Sequence, residues 1–170
     1  MTIFWLVLIA ICIISDQLIK LWAAASLKLM PMSTIPIINN VFHLTYVENR
    51  GAAFSILQNK TIFLIIFTSI ALIFAADLLF RGKLKNKFVE TTVALIIAGG
   101  IANLIDRIRL GYVIDYFDFR LINFPVFNLA DCFVVVGTFG LLFYELFFNK
   151  EDKASKDKSP NSSQSGGEEN

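Results

Sequence analysis

The amino-acid sequence predicts an all-α membrane protein of four transmembrane helices, with a small extracytoplasmic β element and a covering loop. Three observations carry this. Of 170 residues, 56% are hydrophobic and 17% charged, where soluble domains carry about 25% charged. The charges are clustered, leaving four apolar runs close to the roughly 20 residues that cross hydrocarbon. The connection between the second and third runs is rich in Lys and Arg and has no acid. A net charge of +1 without a large basic block gives no reason for a nucleic-acid partner.

The first run covers residues 3–25, interrupted by Ser15, Asp16, Gln17 and Lys20. Ala23-Ala24-Ala25-Ser26 resembles a signal-peptide cleavage site. Residues 1–4, however, lack Lys and Arg, and Asp16 and Lys20 break the apolar core, so the run is read as a retained helix. The second run covers residues 61–80, the third 88–105 and the fourth 129–148. A helix satisfies its own backbone groups in lipid, which makes each of them a span. Arg81, Lys83, Lys85 and Lys87 lie in one short loop, which places that loop in the cytoplasm. Lys150, Lys153, Lys156 and Lys158 lie two crossings away and agree. Both termini are then cytoplasmic, and the connections 26–60 and 107–128 face outward. Residues 1–150 read as one transmembrane domain. Residues 151–170 are Ser, Asn, Glu, Lys and Gly with almost nothing apolar, the composition of a disordered cytoplasmic tail.

The polar residues inside the spans converge on one membrane face. Asp16 and Lys20 are four apart in the outer half of the first span, on one helical face. Asn103, Asp106 and Arg107 share a face at the outer end of the third, and Asn128 and Asp131 open the fourth. A charge near the bilayer centre costs roughly 2.5–3.5 kcal/mol on insertion scales. Asp16 is therefore expected to pair with Lys20, facing the bundle. Asp77 and Glu145, beside Arg81 and Lys150 at the inner ends, read as ordinary interface charges.

The outer connections carry strand patterns at residues 41–47 and 112–119, β-branched and aromatic, while Pro31 and Pro36 break any helix before the first. His43, the sole His, reads as a packing residue. Cys12 and Cys132 read as reduced packing residues with no metal-ligand spacing around them.

Four aspartates, Asp16, Asp106, Asp115 and Asp131, are thus available at the outer face, with no Ser/His/Asp set. Two carboxylates held together cannot both ionise easily, so one serves as base on a water while the other donates a proton. This is the logic of aspartic proteases. The residues alone do not choose the dyad. Asp115 and Asp131 make the better pair because they come from different elements at the outer surface. Two other readings compete: a small transporter or channel using intramembrane Asp/Lys pairs, and a metal-dependent lipid-processing enzyme. Four helices without an internal repeat suit the first poorly. The spacing Asp115-Tyr116-Phe117-Asp118 would suit the second only on a helix, since in a strand the two carboxylates point to opposite faces.

Five segments in order resemble lipoprotein signal peptidase (signal peptidase II). They are Asp16-Gln17-Leu18-Ile19-Lys20, the stretch from Asn49 through Gly51-Ala52-Ala53-Phe54-Ser55, Asn103-Leu104-Ile105-Asp106-Arg107, Val113-Ile114-Asp115-Tyr116, and Phe127-Asn128-Leu129-Ala130-Asp131. The resemblance covers about residues 9–148. It implies an intramembrane aspartyl endopeptidase of the bacterial cytoplasmic membrane, cleaving diacylglyceryl-modified prolipoproteins before the lipidated Cys. By the same resemblance Asp115 and Asp131 are the catalytic dyad. Asn49, Gly51, Asn103, Arg107 and Asn128 would hold substrate or shape the site, and Asp16, Lys20 and Asp106 would support it. It implies no metal or organic cofactor; the expected partners are prolipoprotein, membrane lipid and globomycin-type inhibitors. Two positions depart from the family pattern: Ala102 replaces the usual Gly and Tyr116 the usual Phe. Ala102 still permits close helix packing, and Tyr116 keeps the aromatic ring. Gly99 and Gly100 have a plain packing reading.

Overall fold

The computed structural model describes residues 2–51, 57–84 and 86–148. Within them lie four helices long and apolar enough to cross a membrane, α1 (Thr2–Ser26), α2 (Thr61–Phe80), α3 (Lys87–Leu110) and α4 (Leu129–Phe147). Three strands, β1 (Thr34–Ile38), β2 (Phe42–Asn49) and β3 (Val113–Phe119), form an antiparallel sheet in the order β1-β2-β3. The expected tail at 151–170 and the stretch 52–55 lie outside the described residues.

Why α3 is central follows from its composition. Its 24 residues include Ala94, Ala98, Gly99, Gly100 and Ala102, whose small side chains let neighbours approach. More than half of its apolar window (56%) is buried, against 11% in α2 and α4, so the other helices pack around it. The outward faces are Ile, Leu and Phe, as at Ile66, Phe67, Ile70 and Phe74 of α2. Such a surface suits lipid and not water.

Two features differ from the sequence reading. First, α3 does not stop near residue 105 but runs to Leu110, so Asn103, Asp106 and Arg107 occupy its last turns. The outer connection starts at Gly111 rather than 107. Gly111 takes the left-handed conformation (φ 80°) and its N–H bonds the Arg107 carbonyl, the glycine stop that ends many helices. Arg107 and Arg109 sit in that last turn, where cations complement the helix dipole. Second, the sheet has a third strand. Residues 34–38 include Pro36, which argued for a break; because β1 is an edge strand, the missing N–H is tolerated.

The sheet sits over the end of the bundle where α1 and α3 finish and α2 and α4 begin. The chain after β3 stays tied to it. Phe127 N–H donates to Phe117 O, and the Phe127 carbonyl accepts from Tyr116 and Phe117 N–H. This brings residue 128 beside β3 before α4 starts. At the opposite end, Asp77 pairs with Arg81 and Lys83, as interface charges should.

Gly99 faces the start of α4. A Cβ there would collide with the Ala130 carbonyl oxygen, a backbone atom that cannot rotate away. At Gly100 the nearest atom is a Leu72 side-chain methyl, which can. Gly99→Ala should therefore destabilise the protein by about 1–3 kcal/mol, lowering its thermal midpoint in detergent, and Gly100→Ala should cost clearly less. Equal midpoints for the two variants would contradict this packing account.

Candidate active site

The site begins with helix capping. Asn128 is the N-cap of α4: its Oδ1 accepts from Asp131 N–H at 2.9 Å, and Asp131 Oδ2 accepts from Asn128 N–H at 3.2 Å. This reciprocal capping box satisfies two of the helix's orphan N–H groups. It also fixes the Asp131 carboxylate at the helix mouth.

Asp115 arrives from β3. Val47 pairs with Asp115 and Asn49 with Val113, so Asn49 and Asp115 are diagonal neighbours on one sheet face. Asn49 Nδ2 donates to Asp115 Oδ2 at 2.9 Å. Asn128 Nδ2 donates to Asp115 Oδ1 at 2.6 Å. The residue that caps α4 thus bridges the two aspartates. Asn103 of α3 completes the frame, donating through Nδ2 to Asp131 Oδ1 at 2.7 Å while its Oδ1 accepts from Asn128 Nδ2 at 3.1 Å.

Behind this frame lies an ion cluster. Lys20 Nζ is 2.8 Å from Asp16 Oδ2, 2.9 Å from Asp106 Oδ2 and 2.8 Å from Asn103 Oδ1. The ammonium hydrogen-bonds Asn103 and lies in ion-pair contact with both carboxylates, and Lys20 is only 2% exposed. Asp16 Oδ1 accepts from Ala130 N–H at 2.9 Å, so a carboxylate from α1 sits at the N-terminus of α4, where negative charge is favoured. Asp106 also accepts from Gln17 Nε2 at 2.9 Å and from Ile114 N–H at 3.3 Å. Arg107 points the other way. Its guanidinium donates to the Gly51 carbonyl at 3.0 Å, and Gly51 N–H donates to Asn49 Oδ1.

Asp115, Asp131, Asn49, Asn103 and Arg107 line one cleft of about 810 Å³, whose other wall is Phe124, Pro125, Val126, Val134 and Val135. Half of that lining is polar and convergent, and half is apolar and continuous with the lipid-facing flank of α4. Burial raises the Asp115 carboxyl to about 7, helped by the neighbouring Asp131 carboxylate and opposed by the Asn49 and Asn128 amides. A carboxyl near 7 can carry a proton at neutral pH and still release it.

The family is decided by similarity. Residues 8–148 match a protein family described as signal peptidase (SPase) II. The chain belongs to the signal peptidase II family. A lipoprotein signal peptidase of Clostridioides difficile (strain 630) is 51% identical over 88% of this chain and 99% of its own. One from Caldanaerobacter subterraneus is 48% identical over 84% and 95%. A solved bacterial membrane enzyme superposes with a TM-score of 0.77 at 26% identity, covering 95% of this chain and 94% of the other. The transporter reading finds no support in these signal peptidase II relatives.

Most residues singled out from the sequence meet here. Asp115, Asp131, Asn49, Asn103, Asn128, Arg107 and Gly51 surround the cleft or its frame, while Asp16, Lys20 and Asp106 form the cluster behind. Asp118 turns away from Asp115, accepting from Thr45 Oγ1 at 2.7 Å and Arg120 Nε at 2.8 Å. His43 is buried in the sheet, with Nδ1 3.4 Å from Thr34 Oγ1. Cys132, one past Asp131 on α4, is a free thiol that also lines the cleft. Gln17 was not singled out, although it shares the α1 face of Asp16 and Lys20. Nor was the Tyr116 hydroxyl, which accepts from Leu129 N–H at 3.0 Å and so adds a bond that Phe could not make.

Lys20→Met would leave Asp16 and Asp106 buried without their cation, a loss of about 3–5 kcal/mol. The expected outcome is a large drop in thermal midpoint and in monodisperse yield from detergent. Adding Asp16→Asn should recover part of it, and a double variant no better than the single would break the account.

Proposed function

We propose that this chain is an aspartyl endopeptidase that removes signal peptides from prolipoproteins, with Asp115 and Asp131 as its dyad. The observation that carries this is the convergence of two carboxylates from separate elements, Asp115 buried and Asp131 half-buried, bridged by Asn128 in the large cleft described above. Prolipoproteins are the substrates of the relatives, and with four apolar helices the protein is a multi-pass component of a bacterial inner membrane.

The dyad shares one proton. Asp115, raised to about 7, holds it at rest, and Asp131 is the base. A water between them loses a proton to Asp131 as it attacks the scissile carbonyl. Asp115 protonates that carbonyl oxygen. As the tetrahedral intermediate collapses, Asp131 returns its proton to the leaving amine and Asp115 takes back a proton from one of the two hydroxyls, which leaves the carboxylic acid and restores the dyad. Asn49 and Asn128, donating to Asp115, and Asn103, donating to Asp131, keep both carboxylates in attack geometry. Arg107 holds the Gly51 carbonyl beside the cleft.

The basic loop at 81–87 sets the orientation: both termini inside, the sheet and the dyad near the outer face. The substrate reaches the cleft sideways from the outer leaflet. Its diacylglyceryl chains stay against the apolar wall of Phe124, Val126, Val134 and Val135, and the bond before the lipidated Cys meets the dyad. A globomycin-type cyclic peptide would occupy the same cleft. Residues 1–150 act as one domain.

Purified protein should cleave a diacylglyceryl-modified prolipoprotein before the lipidated Cys, with EDTA present. Asp115→Asn and Asp131→Asn should each lose about 10²–10⁴-fold in kcat while still eluting from detergent as folded, monodisperse protein. Normal cleavage by either folded variant would exclude this dyad, and loss of wild-type activity in EDTA would exclude the metal-free mechanism. The pH profile gives a separate check. Because the active form needs the Asp115 proton, kcat/KM should fall as pH rises through about 7. An acid limb should appear where Asp131 becomes protonated. A rate still climbing above pH 8 would contradict the assignment.

A further inference from the structure

A second cleft, of about 290 Å³, opens on the other side of the ion cluster, between the end of α1 and the end of α3. It shares no lining residue with the dyad cleft. Its floor is Gln17, Lys20 and Asp106, all engaged with one another or with Asp16 and Asn103. Tyr46 and Tyr112 form one wall, and Leu21, Ala24 and Leu110 continue it down the apolar flank. Leu21 and Leu110 are both exposed there. At the mouth stand Lys28 and Arg109.

The charge at that mouth is unbalanced. Glu48 is its carboxylate, 3.0 Å from Lys28 Nζ and 3.4 Å from Arg50 NH2, and it also accepts from Tyr46 OH at 3.3 Å. Arg50 lies over the Tyr112 ring, and Lys28 over that of Tyr46. Arg109 makes no ion pair or hydrogen bond to a described side chain. At the rim Lys28, Arg50 and Arg109 thus outnumber Glu48, while Asp106 in the floor is paired with Lys20. Tyrosines at this level and cations above an apolar slope are the composition of a headgroup-level lipid contact. The volume lies at the small end of ligand pockets, roughly 300–1,000 Å³, enough for a headgroup and not for a folded peptide.

We propose that this cleft binds one anionic phospholipid, with its phosphate between Lys28 and Arg109 and an acyl chain along Leu21, Ala24 and Leu110. The proposal requires that the helices span a bilayer and is independent of the peptidase assignment. Occupancy ties the ends of α1 and α3 together directly above Lys20.

The test is native mass spectrometry of the full chain in detergent, titrated with phosphatidylglycerol and with phosphatidylcholine. One phosphatidylglycerol should bind per chain, in preference to phosphatidylcholine. The double variant Lys28→Gln/Arg109→Gln should bind it roughly 30-fold more weakly. Leu21→Trp, which keeps every charge but fills the acyl slope, should weaken it as well. Arg81→Gln/Lys83→Gln, removing the same charge at the opposite end, should leave it unchanged. Thermal midpoints and monodisperse elution from detergent identify folded variants. Equal binding by wild type and both cleft variants would overturn the proposal, as would an equal loss in the opposite-end variant. Displacement of the lipid by millimolar inorganic phosphate would also overturn it, because the site would then read phosphate alone.

Discussion

The structure depends on one buried ammonium. In a bundle surrounded by lipid there is little hydrophobic drive between helices, since the acyl chains are as apolar as the side chains. Specific polar contacts must then decide which faces meet. Lys20 does this for α1 and α3, ion-pairing with Asp16 and Asp106 and hydrogen-bonding Asn103. Asp16 then reaches α4 through Ala130 N–H, and Asp106 reaches β3 through Ile114 N–H. A buried pair of this kind gives little net stability, because desolvating the ions offsets their attraction. Its value lies in register. Sliding α1 along α3 by one turn would strand three charges in a medium that cannot solvate them.

The same economy shapes the reacting groups. Asn128 caps α4, orients Asp115 and shares its amide with Asn103. Asp131 is at once the N3 residue of a capping box and one half of the proposed dyad. Helix formation and site formation are therefore one event. Gly99 belongs to this arrangement, since only a residue without a side chain lets α3 approach the first turn of α4 so closely.

The spans were legible because lipid imposes a simple rule of length and apolarity. The Asp16/Lys20 pairing was legible because the residues lie four apart in a helix whose outward face must be apolar. The extent of α3 was not, because hydropathy falls at Arg107 while the helix continues to its Gly111 cap. β1 was not, because Pro36 argues against a strand until one knows that the strand lies at an edge. Within the site, periodicity brought the polar residues to one depth but could not say which carboxylates face each other. That depends on the pairing of Phe127 with β3, a contact between residues ten apart whose side chains are plain phenyl rings. The Tyr116 hydroxyl escaped for a related reason: its partner is a backbone N–H of the next element.

The interlocking of the polar floor limits how this protein could escape a compound bound over the dyad. Each amide and carboxylate there has a second partner, so a substitution that weakens the compound also unbuttons a helix cap or an ion pair. The apolar wall carries no such double duty. Phe124, Val126, Val134 and Val135 can change size without leaving a buried charge unpaired. Resistance should therefore collect on the hydrocarbon side of the cleft, and a compound whose affinity comes from the polar side would leave it little room to arise.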